Sequence, residues 1–166
     1  MANNLIIKML TDYSVSIDKP NADNLIYKHY RQDAPHEQHD LVNFLIQAAH
    51  LDDLDKFYID ILPIYLSPQA MKFYLPNFLV ELSKKNRKFA DYAGFVLSNT
   101  YDPISNTKEN LERLEEYKNL LVLRERELIS LGFDHVSSIF RSNDEDSANQ
   151  FSRISDFLIS DGIVDF

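Results

Sequence analysis

Apolar residues recur at intervals of three and four along most of this chain, the spacing that gives a helix one buried face. Leu5, Met9 and Tyr13, with Ile6 and Leu10 beside them, predict a first helix. The stretch DKPNAD (18–23) has the residue types of a turn, and NLIYKHYRQ (24–32) reads as a short helical pattern. Leu41, Phe44, Leu45 and Ala48 predict an amphipathic helix that begins after Ala34-Pro35 and ends near Ala49 or His50. Leu54, Phe57, Tyr58, Ile61 and Leu62 predict another, with Asp52 or Asp53 as its cap and Pro63 ending or kinking it.

The next stretch, LSPQAMKFYLPNFLVELSKK (66–85), carries two prolines. Ser67 is a good N-cap, and Pro68 falls where the first helical N–H has no partner anyway. Met71, Tyr74, Leu75, Phe78, Leu79 and Leu82 then hold one face. Pro76 cannot donate to the carbonyl of Lys72, so the helix must bend or restart there, and the apolar stripe on both sides favours a bent helix. Phe89, Tyr92, Ala93, Val96 and Leu97 predict a further helix, closed by the turn NTYDPIS (99–105). Asn106 and Glu109 have capping-box spacing and open a long helix over about 107–131, with Leu111, Leu114, Tyr117, Leu121 and Leu128 inward. On its surface Glu109 and Arg113 are spaced to pair, and Gly132 is placed to stop it. A short helix over 134–141, the acidic turn SNDEDS (142–147) and a last helix carrying Phe151, Ile154, Phe157 and Leu158 complete the pattern, with Gly162 as its stop. Strand-type alternation is nowhere sustained. The expected fold is all-α, one domain over residues 1–166 with about eight helices, one of them kinked at Pro76.

Composition removes several chemistries. The chain has no cysteine, so disulfides, thiolate metal sites and cysteine nucleophiles are excluded. Its formal net charge of -9 disfavours general binding to nucleic acid. The acidic excess sits towards both ends, flanking a nearly neutral middle that holds the basic cluster KKNRK (84–88). Lys8 and Asp12 interrupt the apolar start that a secretory leader needs, and no apolar run is long enough for a membrane span. The expected location is the cytoplasm, with no membrane partner.

Candidate chemistry is sparse. KHYRQDAPHEQHD (28–40) is the histidine-rich stretch; His36, His39 and Asp40, with His29, are candidates for a metal shell, although the spacing is not His-Glu-x-x-His. The His39-Asp40 pair resembles the metal-dependent helical phosphohydrolases that use a His-Asp pair, but His29 lies closer upstream than their pattern allows. No Gly-x-Ser-x-Gly elbow is present, and three isolated glycines cannot build a phosphate-cradling loop. Carboxylate pairs fall where caps, helix faces and turns want charge. No catalytic residue and no cofactor is assigned.

LSPQAMKFYLPNFLVEL resembles the signature of an uncharacterised family of small bacterial proteins, of the form Leu-Ser-Pro-Glu-(Ala/Gly)-Phe-Arg-Tyr-Tyr-Leu-Pro-Ala-(Phe/Tyr)-Leu. Leu66, Ser67, Pro68, Ala70, Tyr74, Leu75, Pro76, Phe78 and Leu79 match it, while Met71 and Lys72 replace the usual Phe and Arg. The resemblance extends over about residues 5–100 and implies a shared packing motif; it brings no chemistry. The leading expectation is therefore a non-catalytic protein-binding protein, most specifically an immunity protein that neutralises a basic toxin through steering by acidic side chains and anchoring by aromatic ones. Asp144, Glu145, Asp146, Asp156, Asp161 and Asp165 are its expected contacts, and YKHYRQ (27–32) is expected at the surface. A metal-dependent hydrolase centred on His36, His39, Asp40 and His29 is the alternative from a different class, and a structural or adaptor protein is the third.

Overall fold

The computed structural model describes residues 2–28, 35–86, 89, 92–104 and 107–161. Within them run α1 (Ala2–Val15), α2 (Pro35–Gln47), α3 (Lys56–Tyr65), α4 (Pro68–Ser83), α5 (Tyr92–Tyr101), α6 (Lys108–Leu120), α7 (Leu123–Phe140) and α8 (Glu145–Ile159). The all-α class is as expected; among the described residues the sole β feature is one antiparallel bridge, Ile26 to Leu66.

The helix with two prolines is the central one. α4 packs on α1, α6 and α7. Its predicted stripe is buried, and so are Ala70, Pro76 and Val80 outside it, which is the pattern of a helix enclosed on more than one side. Ser67 Oγ accepts from the Ala70 N–H at 3.1 Å, as its position predicts. Pro76 lies inside a helix that stays continuous to Ser83, so the chain does not restart there.

Residues 24–28 depart from the helical expectation. After a 3-10 turn at Ala22–Asn24 and a helical Leu25, the chain lies beside the end of α3 through the bridge at Ile26. The Tyr27 N–H donates to the Tyr65 carbonyl at 2.8 Å, and the Ser67 N–H to Leu25 at 2.9 Å. Three consecutive residues, Leu25, Ile26 and Tyr27, are buried, which no single helix face allows. Tyr27 is thus in the core rather than at the surface.

The long helix expected over 107–131 is two helices. Thr107 caps α6 by accepting from the Asn110 N–H at 3.3 Å, while the expected cap Asn106 lies outside the described residues. Leu121 and Val122 are extended. Both ends of this break are satisfied by side chains. Arg126 Nε donates to the carbonyls of Lys118 and Leu121, each at 3.1 Å, and Glu125 accepts from the Val122 N–H at 2.9 Å. Gly132 does not end a helix. α7 runs through it, at a crossing where a β-carbon would sit 3.0 Å from Leu79 Cδ1 and 3.1 Å from Leu10 Cδ1. The glycine permits α1 and α4 to approach α7 closely, and the short helix expected over 134–141 is the end of α7 itself.

Three smaller departures concern helix ends. Asp52 and Asp53 form a 3-10 turn, and Asp55 is the residue preceding α3. α3 continues past Pro63 to Tyr65, and α5 continues into the expected turn as far as Tyr101. At the end of α3, tertiary partners satisfy carbonyls that the helix leaves unbonded. Tyr101 Oη donates to the Pro63 carbonyl at 2.5 Å, joining the ends of α3 and α5. The most extensive helix pair is α7–α8, where Phe151, Ile154, Phe157 and Leu158 are buried as predicted. Gly162 lies outside the described residues.

Candidate functional site

Several charged side chains that could bear chemistry are used inside the molecule. Arg113, expected to pair with Glu109 on the surface, has no exposed area at all. Its Nη1 donates to the carbonyls of Ile64 at 2.6 Å and Leu66 at 3.2 Å, and its Nη2 to Asn110 Oδ1 at 2.6 Å. The guanidinium also lies 5.3 Å from the Tyr27 ring centre and 5.0 Å from that of Tyr101. A cation at the carbonyl end of α3 satisfies groups the helix leaves unbonded and complements its dipole. A second internal pair joins α5 to α8: Arg153 grips the fully buried Asp102 through Nε at 2.8 Å and Nη2 at 2.7 Å. A third joins α4 to α7, where Lys72 meets Glu125 at 3.1 Å. Burial pulls the Glu125 carboxyl upward, but the Val122 N–H, Lys72 and Tyr13 outweigh it and hold the group below its usual range.

Of the candidate metal ligands, His39 and Asp40 have described side chains. His39 and Asp40 are exposed on α2, His36 is on the same helix, and His29 lies outside the described residues. No group of three or more His, Asp or Glu able to hold an ion occurs among the described residues. Asp40 instead lies near Tyr58, whose phenol is pushed up by burial and then by the carboxylates of Asp40 and Asp55.

Of the six carboxylates expected as contacts, the five described ones lie at both ends of α8. Asp144 is the N-cap of α8: its carboxylate accepts from the Ser147 N–H at 3.0 Å and the Ser147 hydroxyl at 2.6 Å. Glu145 and Asp146 follow it, exposed in the first turn. Asp156 and Asp161 are exposed near the other end, about 16 Å along the helix axis by its rise per residue, and Asp165 lies outside the described residues.

Two concavities differ in how far their polar groups are already occupied. One, of about 330 Å³, lies between the end of α2 and α4. Its walls are tied to one another: the Lys19 ammonium donates to the carbonyls of Leu45, Ile46 and Ala48, Asp53 accepts from the His50 N–H, and Asn86 bridges Asp52 and Glu81. The other, of about 540 Å³, is an open groove between the end of α4, the start of α5 and the α7–α8 corner. Leu82, Ile139 and Phe140 line it with Tyr92 and Phe95, and Lys85, Asn143 and Asp144 supply its polar edge.

The groove is built by particular residues. Tyr92 was expected to face inward, but it is 57% exposed and Phe95 is 48% exposed; the buried face of α5 is Ala93, Val96, Leu97, Thr100 and Tyr101. Their rings stack with centres 6.2 Å apart. Gly94 lets Phe140 lie down against α5, since a β-carbon there would be 2.4 Å from Phe140 Cζ. Phe140 in turn meets Phe151 edge-on at 5.3 Å. Lys85 has φ 55, left-handed backbone that a non-glycine residue adopts at a cost of about 1 kcal/mol. It closes α4 with the two bonds of a Schellman motif, Lys85 N–H to Leu82 at 3.0 Å and Asn86 N–H to Glu81 at 3.1 Å, in the place usually taken by glycine.

The sequence missed the groove because its walls come from three separate segments. One signal was available: Tyr92 and Phe95 are three apart, so they share a helix face distinct from that of Ala93 and Leu97.

Comparison of the chain with models of protein families, with curated proteins and with solved structures finds no match. No helix among the described residues is long and apolar enough to cross a membrane.

Proposed function

We propose that this chain is a non-catalytic cytoplasmic binding protein of the immunity or inhibitor kind, which captures a basic toxin domain at the groove between α4, α5 and the α7–α8 corner. The observation that carries the reading is the exposure of the stacked Tyr92 and Phe95 on the wall of a 540 Å³ groove whose edge continues into the acidic first turn of α8. Aromatic side chains are the usual anchors of protein interfaces, and they are more costly to leave exposed than the polar residues around them. Glu145 and Asp146 at the rim attract a basic partner and speed its capture. The pairing of Arg113, Arg153 and Glu125 with internal partners is also in keeping with a scaffold that works through its surface.

The test is co-expression with the product of the neighbouring gene. Growth rescue together with co-purification is the expected result. Rescue should fail when Glu145→Lys and Asp146→Lys are combined, with the chain still folded and destabilised only by the lost helix-dipole complement, about 1–2 kcal/mol. A product that is harmless, or a toxic one that is neither neutralised nor bound by the wild-type chain, contradicts the reading.

A further inference from the structure

Lys85 brings three features together. Its backbone is left-handed where glycine closes such helix ends without strain. Its side chain lines the groove. Its ammonium has no hydrogen-bond or ion-pair partner among the described residues, whereas every other described lysine is paired with a carboxylate or a backbone carbonyl, as Lys84 is with Glu81 and Lys118 with Ser160. A strained residue whose side chain satisfies nothing among the described residues is a candidate for work outside them.

We infer that the groove recognises an apolar side chain of the partner with a carboxylate next to it: the apolar group packs on Tyr92, Phe95 and Phe140, and the carboxylate pairs with Lys85. This rests on the protein-binding reading above and adds the chemistry of the docked segment. The opposite rim charges give the segment a direction. Its carboxylate lies towards the end of α4, and its basic flank lies towards Glu145 and Asp146. Asp144 takes no part in that pairing, because both its oxygens are held by Ser147.

The probes are N-acetylphenylalanine, which carries ring and carboxylate, and N-acetylphenylalanine amide, which carries the ring alone. Titrated into the ¹⁵N-labelled full chain, both should shift the backbone signals of Tyr92, Phe95 and Asn143. The acid should bind about fivefold more tightly, the ratio that an exposed ion pair of roughly 1 kcal/mol supplies. In Lys85→Gly the preference should vanish while the melting temperature holds or rises, since glycine relieves the backbone strain. Equal binding of acid and amide to the wild type overturns the inference, as does a preference that survives in Lys85→Gly or shifts confined to residues outside the groove. Failure of these titrations while co-expression still rescues growth sinks this inference alone; failure of rescue and co-purification sinks the wider reading.

Discussion

Arg113 and Lys85 are both cations placed just where a helix has ended, and the protein treats them in opposite ways. Arg113 sits beyond the end of α3 with no exposed area, donating to two carbonyls and an amide between two tyrosine rings. Lys85 closes α4 in strained backbone, and its ammonium meets nothing among the described residues. A buried guanidinium fits only because its hydrogen bonds are made inside; its removal strands the acceptors it serves. An unpaired ammonium at an exposed helix end contributes nothing comparable to folding. One region holds the fold together, and the other leaves its chemistry facing outward beside exposed aromatic rings. That difference is the physical basis for placing function in the groove.

The comparison breaks first at Arg113. Arg113→Ala should destabilise the protein by about 3–5 kcal/mol, measured by urea denaturation, because the carbonyls of Ile64 and Leu66 lose a buried donor and a large cavity opens. A loss below about 1 kcal/mol would mean that the guanidinium is dispensable to the core.

Gly94→Ala comes next and joins fold to groove. Displacing Phe140 should cost about 1–3 kcal/mol and weaken partner binding as well, since the groove wall moves. Asp144→Ala should cost about 1 kcal/mol through the lost cap, with little change in partner affinity. An affinity loss larger than that of Glu145→Lys would move the acidic rim onto Asp144.

The smallest effect concerns pH. Burial lowers the imidazole of His135, so the unfolded chain takes up a proton first as pH falls. Its contribution is fully present above the unfolded value of about 6.5 and is lost as pH drops through the lower folded value. Urea midpoints of the wild type should therefore fall below pH 6.5 more steeply than those of His135→Gln. Parallel profiles would remove His135 from the account.

Local residue types were enough to read α1, α2, α4 and α8, because each has a clear periodic face or a recognisable cap such as Ser67. Gly132 misled for a physical reason: a glycine at a helix end and a glycine at a close helix crossing look alike until Leu10 and Leu79 are seen against it. The break at Leu121–Val122 was hidden because Arg126 and Glu125, ordinary helix-surface residues by type, supply its capping bonds. Arg113 had one legible clue, its position one before Leu114 and four before Tyr117, which puts it on the inward face. The candidate site was less legible still. Asp144, Glu145 and Asp146 were read from charge alone, and charge could not separate a cap from a rim. Lys85 gave no signal, since a left-handed φ is visible only in the fold.

Affinity of the purified chain for the neighbouring gene's product, compared with that of a Tyr92→Ala, Phe95→Ala double variant, tests the central claim most directly. Both rings are about half exposed, so the variant should keep its melting temperature within a few degrees while losing on the order of 30-fold or more in affinity. Unchanged affinity in a folded double variant would contradict the placement of function in the groove.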